Sequence, residues 1–264
     1  MLTQRIASAV IGVPLVFVLI YLGGVWYVAA AAAALSVAAL EFQHMQRGWF
    51  DPVSLLSAAL VGGIAVGAYA GTTEWLAWIV AAVLLAPLAT LARPTQAGGR
   101  VMDLLWALLG VSYVGMLGSF IVLLRYIDFD ARSWVFLAVI STFATDTGAY
   151  FTGRIFGRHL LAPRISPKKT AEGFAGGYIA GFPAVIICNY AFDIGVTAPQ
   201  IIGLALLLPP AAALGDLIES AIKRSMDVKD ASELIPGHGG VLDRLDSVLL
   251  TFAVTYLFTQ WVAY

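Results

Sequence analysis

The sequence predicts an all-α polytopic membrane protein of about nine transmembrane helices, eight to ten at the limits, with a cytoplasmic N-terminus. Three observations carry this. The 264-residue chain is 60% hydrophobic and 12% charged, against the roughly 25% charge of soluble domains, and its mean hydropathy is +0.88. Apolar runs of spanning length recur along it, separated by short polar, Gly- or Pro-marked connections. The few charges are sorted by position, so the net charge of -1 says nothing about partners.

The first run, MLTQRIASAVIGVPLVFVLIYLGG, places Arg5 ahead of an apolar stretch as a signal peptide does. No small-residue cleavage site in a polar setting follows, so it reads as a retained first span over 8–22, short enough to be tilted or re-entrant. Further spans are expected at 25–41, 53–70, 75–91, 104–124, 134–151, 173–190, 201–220 and 247–264. Gly23-Gly24, Asp51-Pro52, Pro94 and Pro199 punctuate the connections. The alanine run at 29–34 suits close helix packing. The one cysteine, Cys188, lies in the apolar run GFPAVIICNY and is expected to be packed, with no intrachain disulfide. Residues 1–264 read as a single membrane domain, with a helical N-terminal portion of about 1–130 and a chemistry-bearing C-terminal portion of about 134–264.

With the N-terminus inside, nine alternating spans put Arg5, Arg47, Arg93, Arg100, Arg154, Arg158, Arg164, Lys168, Lys169, Lys223, Arg224, Lys229 and Arg244 on the cytoplasmic side. Only Arg125 and Arg132 fall outside, a 13 to 2 split of the 15 basic residues that the positive-inside rule favours. The charged loops 152–172 and 221–246 then share that side, where cytosolic solutes and lipid headgroups meet.

Charge and backbone freedom concentrate between Ser220 and Asp246, SAIKRSMDVKDASELIPGHGGVLDRLD. Asp216, Glu219, Ser220 and Lys223 are spaced to share one helix face. A simple Glu219–Lys223 ion pair is the plain explanation for two of them. Asp216 at membrane depth is costly unless it pairs, lines a wet cavity or binds an ion. Asp243 and Asp246 open the last span, where the helix dipole alone already favours carboxylates. Three carboxylates on adjacent helix ends repel without a cation between them, and such hard oxygen donors suit Mg²⁺. The turn Pro236-Gly237-His238-Gly239-Gly240 permits close backbone approach to a phosphate. Within it His238 is either a phosphate contact or proton carrier, or a turn-stabilising donor. Lys223, Arg224, Lys229 and Arg244 are phosphate candidates, with topological charge as the alternative.

In the other loop, Ser166-Pro167-Lys168-Lys169-Thr170-Ala171-Glu172-Gly173 offers a basic pair for a nucleotide triphosphate or an anionic headgroup, and Thr170 can cap the next helix. Asp146, in FATDTGAYFTGR, is expected to be buried beside a polar cavity. His44 and His159 have no ligand partners at useful spacing, and no Walker A loop, G-x-S-x-G elbow, H-E-x-x-H or zinc cluster occurs. Nothing points to nucleic acid.

The run from Ser220 to Asp246, S-x-x-K-R-x-x-x-x-K-D-x-x-x-x-x-P-G-H-G-G-x-x-D-R-x-D, resembles the signature of the phosphatidate cytidylyltransferases, or CDP-diacylglycerol synthases. S-P-K-K-T-x-E-G at 166–173 resembles a second stretch of that family, so the likeness covers the C-terminal 120 residues or so. The resemblance implies a polytopic helical enzyme of phospholipid synthesis, while the positive-inside pattern and compact size suggest a bacterial inner membrane with the site on the cytoplasmic side. It implies CMP transfer from CTP to phosphatidic acid with Mg²⁺. Asp216, Asp243 and Asp246 would hold the metal, with a second cation such as K⁺ beside it, and Lys223 and Arg224 would join them in catalysis. Lys168, Lys169, Ser220, Lys229, Asp230, His238, Gly239, Gly240 and Arg244 would bind substrate, with Asp146 and Glu219 in a second tier. A homodimer stays open.

Two other classes compete. A CTP-dependent polyprenol or dolichol-type kinase would use a nucleotide site of similar parts. An ion-coupled transporter would spread its charges across the midplane and show an inverted repeat, whereas here they gather on one face. The paired motif of a CDP-alcohol phosphotransferase is absent.

Overall fold

A computed structural model describes residues 2–92, 99–128, 130–235, 237 and 239–262, with side chains from Val10 onward. The chain runs α1 (Leu2–Leu22), α2 (Gly24–Arg47), α3 (Pro52–Ala70), α4 (Thr72–Leu91), α5 (Gly99–Gly110), a π-helical turn (Val111–Met116), α6 (Leu117–Arg125) and α7 (Ala131–Phe156). It continues as β1 (Leu160–Ala162), β2 (Ser166–Thr170), α8 (Ala171–Ala191), α9 (Ala198–Ser225) and α10 (Leu242–Val262). Eight of these helical stretches, counting Gly99–Arg125 as one, are long and apolar enough to cross a membrane, and α1 adds a shorter apolar stretch, Val10–Leu22. The chain is a nearly all-α integral membrane protein, as its composition requires. Arg5, Arg93 and Pro94 lie outside the described side chains.

Helix ends extend beyond the apolar windows. The second span runs to Arg47 rather than ending near 41, the eighth to Ser225, and the last begins at Leu242 rather than 247. Hydropathy marks only the membrane-crossing part of a helix, while the backbone ladder continues into polar residues until a cap or turn stops it. The antiparallel hairpin β1-β2 is a departure from an all-helical expectation. Pro163 and Pro167 explain it, because proline lacks a donor and pushes the residue before it into extended backbone.

The helices gather into two compact units. The first comprises Met1–Tyr126 with Asp230–Arg244. Leu35, Phe42, Val61, Ile64, Val114 and Leu124 are buried in its core, and the Phe42 and Trp106 rings pack at 4.6 Å. Asp51 caps α3 by accepting the Val53 N–H at 2.9 Å, with Pro52 in the first turn where its missing donor costs nothing. Arg47 ends α2 by donating to the Asp103 carbonyl at 2.6 Å, which ties α2 to α5.

The second unit comprises Ile127–Lys229 with Leu245–Tyr264. Helices α7 and α8 approach closely through small residues: a methyl group on Gly148 would stand 2.7 Å from the Gly176 carbonyl oxygen. Without water to drive association in lipid, close backbone packing of this kind supplies it. Thr142 of α7 donates to Thr251 of α10 at 2.9 Å, both fully packed. Cys188 is buried, as expected. Thr170 caps α8 as its sequence position suggested, its hydroxyl accepting the Gly173 N–H at 3.0 Å.

Candidate active site

In the second unit, the position before Asp216 decides how α9 meets α10. Gly215 packs directly on the backbone of α10, and a Cβ there would stand 3.2 Å from the Ser247 Cα and collide with the Asp246 carbonyl. The missing side chain lets the two helices touch where each carries an acid. Asp216, Glu219 and Asp246 thus converge, with one oxygen from each lying within 4.8 Å of the others. Glu219 is fully buried, while Asp216 and Asp246 keep partial exposure. Hard oxygen donors gathered this closely fit a small divalent cation.

Two ammonium groups reach the same cluster. Lys169 Nζ lies 2.7 Å from Asp216 Oδ2, and Lys223 Nζ lies 2.5 Å from Glu219 Oε2 across one helical turn. The Glu219–Lys223 pair is therefore present, and Glu219 belongs to the carboxylate trio as well. Alternation along β2 explains why Lys169 is turned to Asp216 while Lys168 stays exposed. Ser220 donates to Asp216 Oδ1 at 3.3 Å, and Ser247 donates to Asp146 Oδ1 at 3.4 Å. Asp246 interacts electrostatically with Asp216, Asp146 and Lys223.

Arg224 leaves the end of α9 to donate to Val228 O at 2.9 Å and Ile165 O at 3.4 Å, joining the hairpin to the turn after α9. Lys229 is exposed. Asp146 corrects an expectation: it is exposed, not buried. Thr145 takes the packed position on α7, and one further residue rotates the side chain by about 100°, off that face.

In the first unit, the segment that precedes α10 is held by two carboxylates. Asp243, buried, accepts the Ala231 N–H at 3.0 Å and the Gly240 N–H at 2.7 Å on the same oxygen. A Cβ on Gly239, whose φ is +78°, would stand 2.7 Å from that oxygen. The second carboxylate is Glu41 of α2, fully buried, which accepts from the Ser232 hydroxyl and the Val241 and Leu242 N–H groups. Arg244 and Asp230 are exposed. Pro236 and His238 lie outside the described residues. Sequence reasoning passed over Glu41, although an acid at the end of an apolar run, the same signal that singled out Asp216, was there to be read.

Residues 3–262 match the model of the cytidylyltransferase family. The phosphatidate cytidylyltransferase of Mycobacterium bovis is 36% identical over 262 residues, covering 90% of this chain and 81% of that protein. The enzyme of the same name from Mycobacterium tuberculosis is also 36% identical, over 90% of this chain and 76% of its own length. That of Bacillus subtilis is 38% identical over 148 residues, 56% of this chain and 55% of that one.

Proposed function

The chain belongs to the cytidylyltransferase family, and from that premise we propose that this nucleotidyltransferase carries CMP from CTP to phosphatidic acid, giving CDP-diacylglycerol and pyrophosphate. The observation that carries the reading is the meeting of two distant motifs, where Lys169 of the 166–173 segment pairs with Asp216 at 2.7 Å beside Glu219 and Asp246. The names of the relatives support the lipid substrate.

The site suits a displacement at phosphorus. An oxygen of the lipid phosphate attacks the α-phosphorus of CTP, the bond from that phosphorus to the oxygen bridging toward the β-phosphorus breaks, and pyrophosphate leaves with the bond's electrons. No covalent enzyme intermediate is needed, and positioning with charge neutralisation supplies most of the catalysis. Lys223 and Arg224 belong to that neutralisation. Lys168, Lys169, Ser220, Lys229, Asp230, His238, Gly239, Gly240 and Arg244 form the substrate-binding set, the cations steadying phosphates and the glycine turn letting them approach. Asp216, Asp243 and Asp246 are the proposed holders of Mg²⁺, with Glu219 beside Asp216 and Asp246; when bound, the ion would screen the repulsion between two anionic phosphates. A monovalent cation such as K⁺ is the candidate for a second position. The site is proposed to face the cytoplasmic side of a bacterial inner membrane, where CTP and the inner leaflet meet.

Pyrophosphate release by purified protein in detergent, with Mg²⁺ and CTP, tests this. Release that requires phosphatidic acid and yields a CDP-lipid supports the proposal. CTP-dependent phosphorylation of a polyprenol without pyrophosphate would move the chain to the kinase reading, and no reaction with either lipid would refute both.

A further inference from the structure

A buried acid in a membrane span needs donors, and among the described residues those of Glu41 come from one distant stretch of chain. Its Oε1 accepts the Ser232 hydroxyl at 2.6 Å and the Val241 N–H at 3.0 Å, and its Oε2 accepts the Leu242 N–H at 2.7 Å. Ser232 in turn accepts the Leu234 N–H at 3.1 Å, so the carboxylate holds both limbs of the glycine loop. The Ile235 N–H donates to the Gly239 carbonyl at 2.8 Å, closing the loop between them. A Cβ on Gly240 would lie 2.6 Å from Glu41 Oε2, which gives this glycine a reason beyond turn geometry: the acid occupies the space a side chain would take.

We propose that Glu41, 191 residues from Ser232 in the chain, is the positioning residue of the glycine loop. Its carboxylate sets where Ser232, Val241 and Leu242 lie, and with them the direction of the neighbouring N–H groups and of Asp243 and Arg244, which follow directly. Glu41 touches no reacting atom; it acts through the loop on CTP phosphates. This role rests on the reading above.

Glu41→Gln keeps the shape and one acceptor but turns an NH₂ group toward an N–H donor. Hydrogen bonds to a charged acceptor are the stronger ones, so weakening this hold on the loop should raise the KM for CTP about tenfold or more. Ser232→Ala should raise it less, and Ser232→Thr, which restores the hydroxyl, should return it toward wild type. Hydrogen exchange of the purified full chain in detergent gives a readout independent of activity. The amides of Leu234, Ile235, Gly240, Val241 and Leu242 should exchange faster in Glu41→Gln while those of α3 stay protected. A folded Glu41→Gln protein with wild-type KM for CTP overturns the proposal, as does unchanged exchange in the loop. Wild-type protein that does not turn over CTP with phosphatidic acid would refute the function instead, and the exchange comparison would still decide the Glu41 contact.

Discussion

Asp216 and Glu219 lie one turn apart on α9 but are neutralised differently. Glu219 is fully buried against Lys223 of its own helix, so deleting either partner strands a charge, at a cost of about 3–5 kcal/mol. Asp216 is partly exposed and takes its lysine from β2, which leaves it suited to exchanging one cation for another. Asp216→Asn and Asp246→Asn should therefore lower turnover by about a hundredfold or more, the scale of lost electrostatic stabilisation at a reacting centre. Both variants should elute from size exclusion like the wild type. Near-normal rates at ordinary Mg²⁺ would remove these residues from the site. The types and spacing of these acids were legible in the sequence. That Glu219 would join Asp216 and Asp246, and that Asp146 would stand exposed, was not, because one residue of rotation separates a packed face from an open one.

At the level of elements, the contact between α9 and α10 at Gly215 sets the site. Alanine favours helix over glycine by about 0.8–1 kcal/mol, so Gly215→Ala should help α9 as an isolated helix. In the folded protein its methyl group meets the Asp246 carbonyl and Ser247 Cα, which must move α10 away from Asp216. The expected outcome is a higher Mg²⁺ concentration for half-maximal activity, with helical content by circular dichroism unchanged. An unaltered Mg²⁺ dependence would mean the helices can part without disturbing the acids. The hairpin acts in the same way, since α7 ends at its Gly157 cap and the second strand turns Lys169 toward Asp216 while Lys168 faces out.

For the molecule as a whole, the distribution of basic residues sets the expected orientation, and the hairpin offers a test of it. Arg164 is exposed, and Cys188, the one native cysteine, is buried and gives little background. An Arg164→Cys variant in intact cells should resist a membrane-impermeant thiol reagent and react once the membrane is opened. Labelling in intact cells would invert the topology and put the site on the wrong side for CTP. Hydropathy and charge by themselves led to a helical, membrane-spanning chain, with about nine spans expected against eight helices long and apolar enough to cross, and drew the candidate site to Asp216 and Ser220–Asp246, because burial in lipid and local spacing are short-range properties of a sequence. The tertiary structure alone decided that Lys169 would pair with Asp216, that Asp246 would meet Asp216 across Gly215, and that Glu41 would hold a loop 191 residues away. Those contacts depend on which helix surfaces interlock and on the space a missing side chain leaves between them, and no periodicity along the chain encodes that.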